Sequence, residues 1–357
     1  MKTEIIKVDP QFPDIKDIRR CAKVIRNGGL VIFPTETVYG IAVDMSNEDA
    51  VNRLKKIKQR DDGKPFSILV PQRGLISNYT SSSDTAIYKL IDTYWPGPLT
   101  LVVPAKGTSE TTYGVRMPDH PVALKLIQEA QCSVIAPSAN IQDKQPPSTC
   151  EEALRDLDGL VDIAIDAGQT RFGAGSTVVD VTSKEVKVLR EGVIKEEFIK
   201  EAVNKKTILF VCTGNSCRSV MAEYLLKDCF KDNKTNLEIS SAGTSVFLRA
   251  GASKDTLSVL REDGIEAIEH ASQPINTILL KQADLIFVMT AGHRQQVLER
   301  VPSVEKRIYL LKEFANIPSD MSGHMDIPDP MGRDYAAYKE CKAVIKQAVQ
   351  KIVDLVK

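Results

Sequence analysis

The second half of the chain alternates short apolar, β-rich runs with longer segments whose apolar positions recur every three to four residues. The runs at 207–212, 237–241, 285–289 and 307–310 read as strands, and 219–230, 253–263, 291–300 and 335–356 read as helices. Alternation of this kind predicts a parallel sheet covered by helices on both faces, with the chemistry-bearing loops at the carboxyl ends of the strands. The first half is less regular. There, Gly28 to Pro34 reads as a turn and a buried strand, 48–58 as a helix, Gly173 to Asp180 as a glycine turn entering a strand, and Val188 to Gly192 as the end of another. Between the halves, Ile194 to Asn204 predicts a short helix, and Lys205-Lys206 then leads into the next strand. A seam near 195–206 is expected, separating a domain at 1–200 from one at 205–357. The halves share no motif, so the pattern is that of two unlike domains joined, both of class α/β.

Composition changes this picture little. Of 357 residues, 43% are hydrophobic and 26% charged, as in ordinary soluble domains. Lys+Arg and Asp+Glu are 47 each and aromatics only 6%, which argues against a phosphate-tracking or base-stacking surface. No apolar run approaches membrane-spanning length, and Met1 to Pro10 has no signal-peptide core, so no membrane association is expected. Seven cysteines without framework spacing indicate a reducing compartment, and the expected location is cytoplasmic.

The densest chemistry lies at Cys212-Thr-Gly-Asn-Ser-Cys-Arg-Ser219. An apolar strand ends at the cysteine, Gly214 and Asn215 tolerate a strained turn, and Ser219 opens a helical pattern. Such a loop wraps backbone N–H groups around an anion at the positive helix end, which also favours a cysteine thiolate facing a bound phosphate. Cysteine is often only a small buried hydrophobe, but the flanking strand and helix favour a nucleophile. Far downstream, Asp326-Ile-Pro-Asp329-Pro330 offers acids on a proline-stiffened loop.

Over roughly 205–357 the chain resembles the low-molecular-weight protein tyrosine phosphatase family, on this loop together with Ser241-Ala-Gly-Thr244, Asp284 to Met289 and Asp329-Pro330. The resemblance implies a Rossmann-like parallel sheet and assigns Cys212 as nucleophile, Arg218 as phosphoryl clamp and Asp329 as general acid, with no cofactor. Asn215 and Ser219 would hold the loop and hydrogen-bond the thiolate, Ser216 and Cys217 complete it, and Val220 departs from the usual proline. A disulfide between Cys217 and an oxidised Cys212 is a further expectation. Phosphorylated protein is the implied substrate, as phosphotyrosine or phosphoarginine. Ser216 stands where tyrosine-specific relatives carry isoleucine and arginine phosphatases threonine, and Met331 removes an aromatic, so phosphoarginine is favoured.

In the first half, Thr35-Glu-Thr-Val-Tyr-Gly40 follows a strand directly. Lys56, Lys58, Arg60 and Lys64 would form an anion site if they converged, although a solvated helix end is the plainer reading of those four alone. Arg116 precedes a stiff Met-Pro118, and Ser138 and Asn140 would share a face in extended chain. A Walker loop is absent, and Gly173-Ala-Gly175 precedes a strand rather than a helix, which rejects a dinucleotide fingerprint.

This ordered set resembles the YrdC-type threonylcarbamoyl-AMP synthase family over 1 to about 200. The resemblance implies a twisted α/β sheet domain that condenses L-threonine, bicarbonate and ATP into threonylcarbamoyl-AMP and pyrophosphate for tRNA modification. By matching, Thr37, Arg116 and Ser176 would hold threonine. Lys58, Arg60, Lys64, Thr112, Ser138, Asn140 and Arg190 would hold ATP, with Mg²⁺ on the triphosphate. A histidine that some members carry is replaced within Ser67-Ile-Leu-Val70, and the phosphatase occupies the place of the extra domain of longer relatives. The tRNA threonylcarbamoyl transferase machinery is an implied partner.

Two other readings compete. Arsenate reduction shares the second fold, but it needs relay cysteines and none occurs between Cys229 and Cys341. An RNA-binding first half tethering a phosphatase is disfavoured by the neutral charge balance. The expectation is a bifunctional synthase and cysteine-dependent phosphatase.

Overall fold

The computed structural model describes residues 2–59, 66–108, 110–142, 144–231, 236–318 and 325–356. The chain divides into two compact units, one of 1–82 with 89–203 and the other of 204–357 with 83–88.

The first unit holds a ten-stranded mixed sheet among the described residues. Its strands are β1 (Glu4–Lys7), β2 (Val31–Phe33), β3 (Gly40–Asp44), β4 (Ile68–Leu69), β5 (Leu99–Pro104), β6 (Thr112–Arg116), β7 (Val134–Ile135), β8 (Ile163–Asp166), β9 (Thr177–Asp180) and β10 (Lys187–Arg190). They lie in the order β1-β8-β2-β3-β7-β4-β6-β5-β9-β10. Strand β2 is buried throughout because its residues supply two cores. Val31 and Phe33 pack with helices Ile15–Arg26 and Pro121–Ala130, while Ile32 packs with Glu48–Lys58 and Cys150–Leu157. The helix at 48–58 is capped by Asn47, whose side chain accepts from Ala50 N, and it stops where Gln59 turns left-handed at φ 50°.

The second unit is a four-stranded, fully parallel sheet of β11 (Lys206–Cys212), β12 (Leu237–Gly243), β13 (Leu285–Val288) and β14 (Ile308–Leu310), in the order β12-β11-β13-β14. Ile208, Phe210 and Cys212 face a core with helices Arg218–Cys229 and Tyr335–Val356, whereas Leu209 and Val211 face Thr277–Gln282 and Ala291–Arg300. Phe210 stacks on Phe287 with ring centroids 5.6 Å apart. The chain leaves β11 towards β12 and later crosses back to β13 on the other side. The end of β11 is therefore the switch point at which open α/β sheets receive ligands. The strands and helices expected in this half are present with ends within two residues of expectation; Thr277–Gln282, too short to show a period, was not foreseen. Among the described residues no helix is long and apolar enough to cross a membrane.

The strand β10 is held to the first sheet by more than its ladder. Thr177 is fully buried; its Oγ1 donates to Ile194 O at 2.6 Å and accepts from Ile194 N at 2.9 Å and Gly192 N at 3.0 Å. Thr177→Val keeps the shape but strands a buried N–H, a half-buried N–H and a carbonyl, a loss of about 2–4 kcal/mol. Urea unfolding followed by fluorescence of the single tryptophan, Trp95, should show a correspondingly lower midpoint; an unchanged midpoint would refute this role of the hydroxyl.

Candidate active sites

At the end of β11 the chain turns through 213–217 into the helix Arg218–Cys229. Asn215 makes the turn at φ 51°, a left-handed value that asparagine tolerates better than most residues. It is fully buried and fully used. Nδ2 donates to Ser219 Oγ at 3.0 Å and Ser241 Oγ at 2.7 Å, Oδ1 accepts from Gln273 N at 2.9 Å, and its carbonyl meets His270 Nε2 at 2.8 Å. Ser241 Oγ in turn donates to the buried Glu223 Oε2 at 2.5 Å. Beneath the loop, β12 ends at Gly243, where a Cβ would lie 2.4 Å from Thr213 O and 3.0 Å from Asn215 N. Only glycine leaves room for the turn.

The network aims at the cysteine. Ser219 Oγ lies 3.0 Å from Cys212 Sγ, and because it accepts from Asn215 Nδ2 its hydrogen is free to donate to the sulfur. Cys217 caps the helix without a side-chain hydrogen bond, so the helix start presents its backbone N–H groups uncovered by a side chain. Arg218 is 4% exposed; Nη1 donates to Ile327 O at 3.1 Å and Nη2 is paired with Asp329. Its Nε is buried with no partner among the described residues, a donor that an oxyanion would satisfy. The expected trio Cys212, Arg218 and Asp329 thus converges. Asp326 instead accepts from Ala291 N at 2.8 Å and holds the acid segment to the start of helix Ala291–Arg300.

Ser216 is half-buried, its Oγ 3.6 Å from Cys217 Sγ. Cys217 faces inward, 3.3 Å from Ser253 Oγ and 3.8 Å from Tyr338 OH, and it is unpaired. Sequence reasoning gave no role to Glu223, His270 or His293. Their signal was absent because lone polar residues on helices and loops read as surface until the fold buries them. Burial, then the Arg218 charge, pushes the His293 imidazole down to about 4, so it is neutral at ordinary pH.

In the first unit a cavity of about 490 Å³ brings together Lys58, Thr112, Arg116, Ser138, Ser176 and Arg190, with Phe66, Leu69 and Leu189 on its apolar wall. Thr37 and Asn140 lie behind these residues. Arg116 Nη2 donates to Thr37 Oγ1 at 2.8 Å and to Glu36 Oε1 at 2.7 Å, and Nε donates to Gly97 O at 3.2 Å. Glu36, 1% exposed and not foreseen as a site residue, leaves its second oxygen without a partner among the described residues. Lys58 Nζ donates to Ser138 O at 2.9 Å, Asn140 O at 2.5 Å and Asn140 Oδ1 at 3.1 Å, while Ser138 Oγ donates to Asn140 Oδ1 at 2.5 Å. Ser138 and Asn140 therefore meet in a tight turn, not across an extended strand as their spacing suggested.

Arg190 donates to Ser176 O from Nε at 3.2 Å and from Nη2 at 2.7 Å. Burial first, and then the nearby Arg116 charge, lowers its basicity. Ser176 Oγ also meets Thr100 Oγ1 at 2.9 Å. Arg60 and Lys64 lie outside the described residues. No group of three or more His, Cys, Asp or Glu able to hold a metal forms among the described residues.

Comparison with known proteins divides the chain in the same way. The family model Sua5/YciO/YrdC, described as telomere recombination, matches 23–192, and that of the low molecular weight phosphotyrosine protein phosphatases matches 207–357. A threonylcarbamoyl-AMP synthase of Pyrococcus abyssi is 35% identical over 227 residues, covering 62% of this chain and 66% of its own. Its Bacillus subtilis counterpart is 34% identical over 208 residues, covering 56% and 58%. The chain thus spans less than two thirds of either relative. A protein-arginine-phosphatase of Bacillus subtilis is 31% identical over 150 residues, covering 42% of this chain and 96% of its own.

Gly243→Ala should push the loop off its geometry. Calorimetric affinity for inorganic phosphate is expected to fall at least ~10-fold with far-UV circular dichroism unchanged, since anion binding needs the N–H groups held in register. An unaltered affinity would show that the glycine merely fills space.

Proposed function

The chain belongs to the Sua5/YciO/YrdC family through 23–192 and to the low molecular weight phosphotyrosine protein phosphatase family through 207–357, and from this we propose a bifunctional enzyme that makes threonylcarbamoyl-AMP and dephosphorylates proteins. The observation that most supports the second activity is the buried Arg218 Nε, without a partner among the described residues, beside the uncapped helix start and Cys212. Cys212 Sγ would attack phosphorus, forming an S–P bond as the bond to the leaving group breaks. Asp329 would give the leaving group its proton, and water would then release phosphate from the cysteine. Phosphoryl oxygens arriving on Arg218 would compete with its ion pair to Asp329 and turn that carboxyl towards the leaving group.

Phosphoarginine is the favoured substrate, because the Ser216 hydroxyl could accept from a guanidinium where an aliphatic side chain would pack on a phenyl ring. The named arginine phosphatase among the relatives supports this choice.

For the first unit, the support is one cavity with Lys58, Arg116 and Arg190 on its wall, in keeping with a reaction of anions that needs positioning and charge neutralisation. The threonine nitrogen and bicarbonate would form a carbamate with loss of water, and the carbamate oxygen would attack the α-phosphorus of ATP, expelling pyrophosphate. The donors here fit phosphate and carboxylate oxygens rather than a protein-held metal cage, so Mg²⁺ would come bound to the triphosphate and shield its charge. The product would pass to the tRNA threonylcarbamoyl transferase machinery.

Arg190→Ala should lower threonine- and bicarbonate-dependent pyrophosphate release by roughly 100-fold, the scale expected when one charge-assisted hydrogen bond to a reacting anion is removed. Normal turnover in this variant would remove Arg190 from the nucleotide site. On phosphoarginine and phosphotyrosine peptides assayed in parallel, wild type should prefer the former, and Ser216→Ile should shift the kcat/KM ratio towards tyrosine by about tenfold or more. Cys212→Ser should hydrolyse neither. A wild-type preference for phosphotyrosine that Ser216→Ile leaves unchanged would overturn the arginine assignment.

A further inference from the structure

One buried titratable group near the phosphatase site has no part in the chemistry of Cys212, Arg218 and Asp329. His293 sits in the first turn of helix Ala291–Arg300 and is 5% exposed. Both ring nitrogens are engaged by hydroxyls. Nδ1 lies 2.9 Å from Thr290 Oγ1, and Nε2 lies 2.9 Å from Thr213 Oγ1. Thr290 is the helix cap, accepting from His293 N at 3.2 Å, whereas Thr213 immediately follows the proposed nucleophile. A neutral imidazole has one donor and one acceptor nitrogen, so one hydroxyl donates to the ring and the other accepts from it. The ring thus fixes the rotation of an otherwise exposed threonine hydroxyl.

That hydroxyl is joined to the machinery. Arg218 Nη2, which pairs with Asp329, lies 3.4 Å from Thr213 Oγ1. The segment bearing Asp329 is itself moored to the residues around His293. Ile327 N donates to Met289 O at 2.8 Å, and Asp326 Oδ1 accepts from Ala291 N at 2.8 Å. A single imidazole therefore stands between the nucleophile loop and the mooring of the acid segment. Arg218, Asp326 and Asp329 are the charged groups that act on it electrostatically.

We propose that His293 is a positioning residue for phosphoryl transfer, fixing the Thr213 hydroxyl, and through it the Arg218 guanidinium, relative to the segment that carries Asp329. The proposal rests on the phosphatase reading of the second unit and adds to it a residue that touches neither substrate nor sulfur.

The test separates positioning from simple packing by the reach of the replacement. An asparagine amide reaches the place of Nδ1 and can keep the contact to the Thr290 cap, but it falls short of Thr213. A glutamine amide reaches the place of Nε2 and can keep the contact to Thr213. Full-length wild type, His293→Asn, His293→Gln, Thr213→Val and the double variant His293→Asn/Thr213→Val are assayed on p-nitrophenyl phosphate and titrated with inorganic phosphate by calorimetry. His293→Asn and Thr213→Val should each lower kcat by about 10- to 100-fold, the range that sub-ångström to ångström misplacement produces. His293→Gln should stay within about threefold of wild type, and the double variant should be no slower than the worse single one, as coupled partners behave. Phosphate affinity should follow the same ranking. Equal losses in His293→Asn and His293→Gln, or losses that multiply in the double variant, would overturn the proposal. If wild type hydrolyses no phosphate ester, the phosphatase reading fails, and the ranking of phosphate affinities still decides the role of His293.

Discussion

A cation removed from water must find acceptors, and each candidate site in this chain is arranged around that requirement. Lys58 donates to backbone and side-chain oxygens of the Ser138–Asn140 turn, and Arg190 donates to oxygens of Ser176. Arg116 and Arg218 find carboxylates, Glu36 and Asp329. A cation paired with a carboxylate must exchange partners to take an incoming anion. Asp329, with a side chain 45% exposed, can move away; Glu36, 1% exposed, is built into the wall.

The two units meet this requirement with different architecture. In the second unit a fully parallel sheet with apolar cores on both faces brings the loop that follows Cys212 to one switch point, and the loop is stiffened from below. Asn215, Ser219, Ser241, Glu223 and His270 form one buried polar cluster that satisfies most of its own donors and acceptors. A half-satisfied network there would be worse than an apolar core, which is why the loop can be both strained and ordered. In the first unit the walls of the cavity come from segments distant in sequence: β6 supplies Arg116, the position just before β9 Ser176, and the end of β10 Arg190.

Close backbone approach is the shared device. Gly243 lets the end of β12 run under the 213–217 turn, and Gly192 lets the chain after β10 touch Gly175 and Ser176, where a Cβ would lie 2.2 Å from Gly175 O. In both places no side chain would fit, and in both the glycine brings a polar backbone segment against a loop of a candidate site.

Much of this was determined by the sequence alone. Period and length placed the second unit's strands and its long helices, because a parallel sheet buried on both faces needs short continuous apolar runs, which here alternate with longer segments of helical period. The spacing Cys212 to Arg218 between strand and helix is chemically specific, since the candidate anion loop is formed by seven consecutive residues. Tertiary structure decided what depends on distant partners. Glu36 reads as a surface acid until Arg116, 80 residues away, is laid against it. Ser138 and Asn140 look like neighbours on a strand until Lys58 gathers them into a turn. His293 reads as one more polar residue on an exposed helix until the fold sets Thr213 against its ring. Hydrophobic period is written in neighbouring residues, whereas the pairing of a buried charge is written only in space.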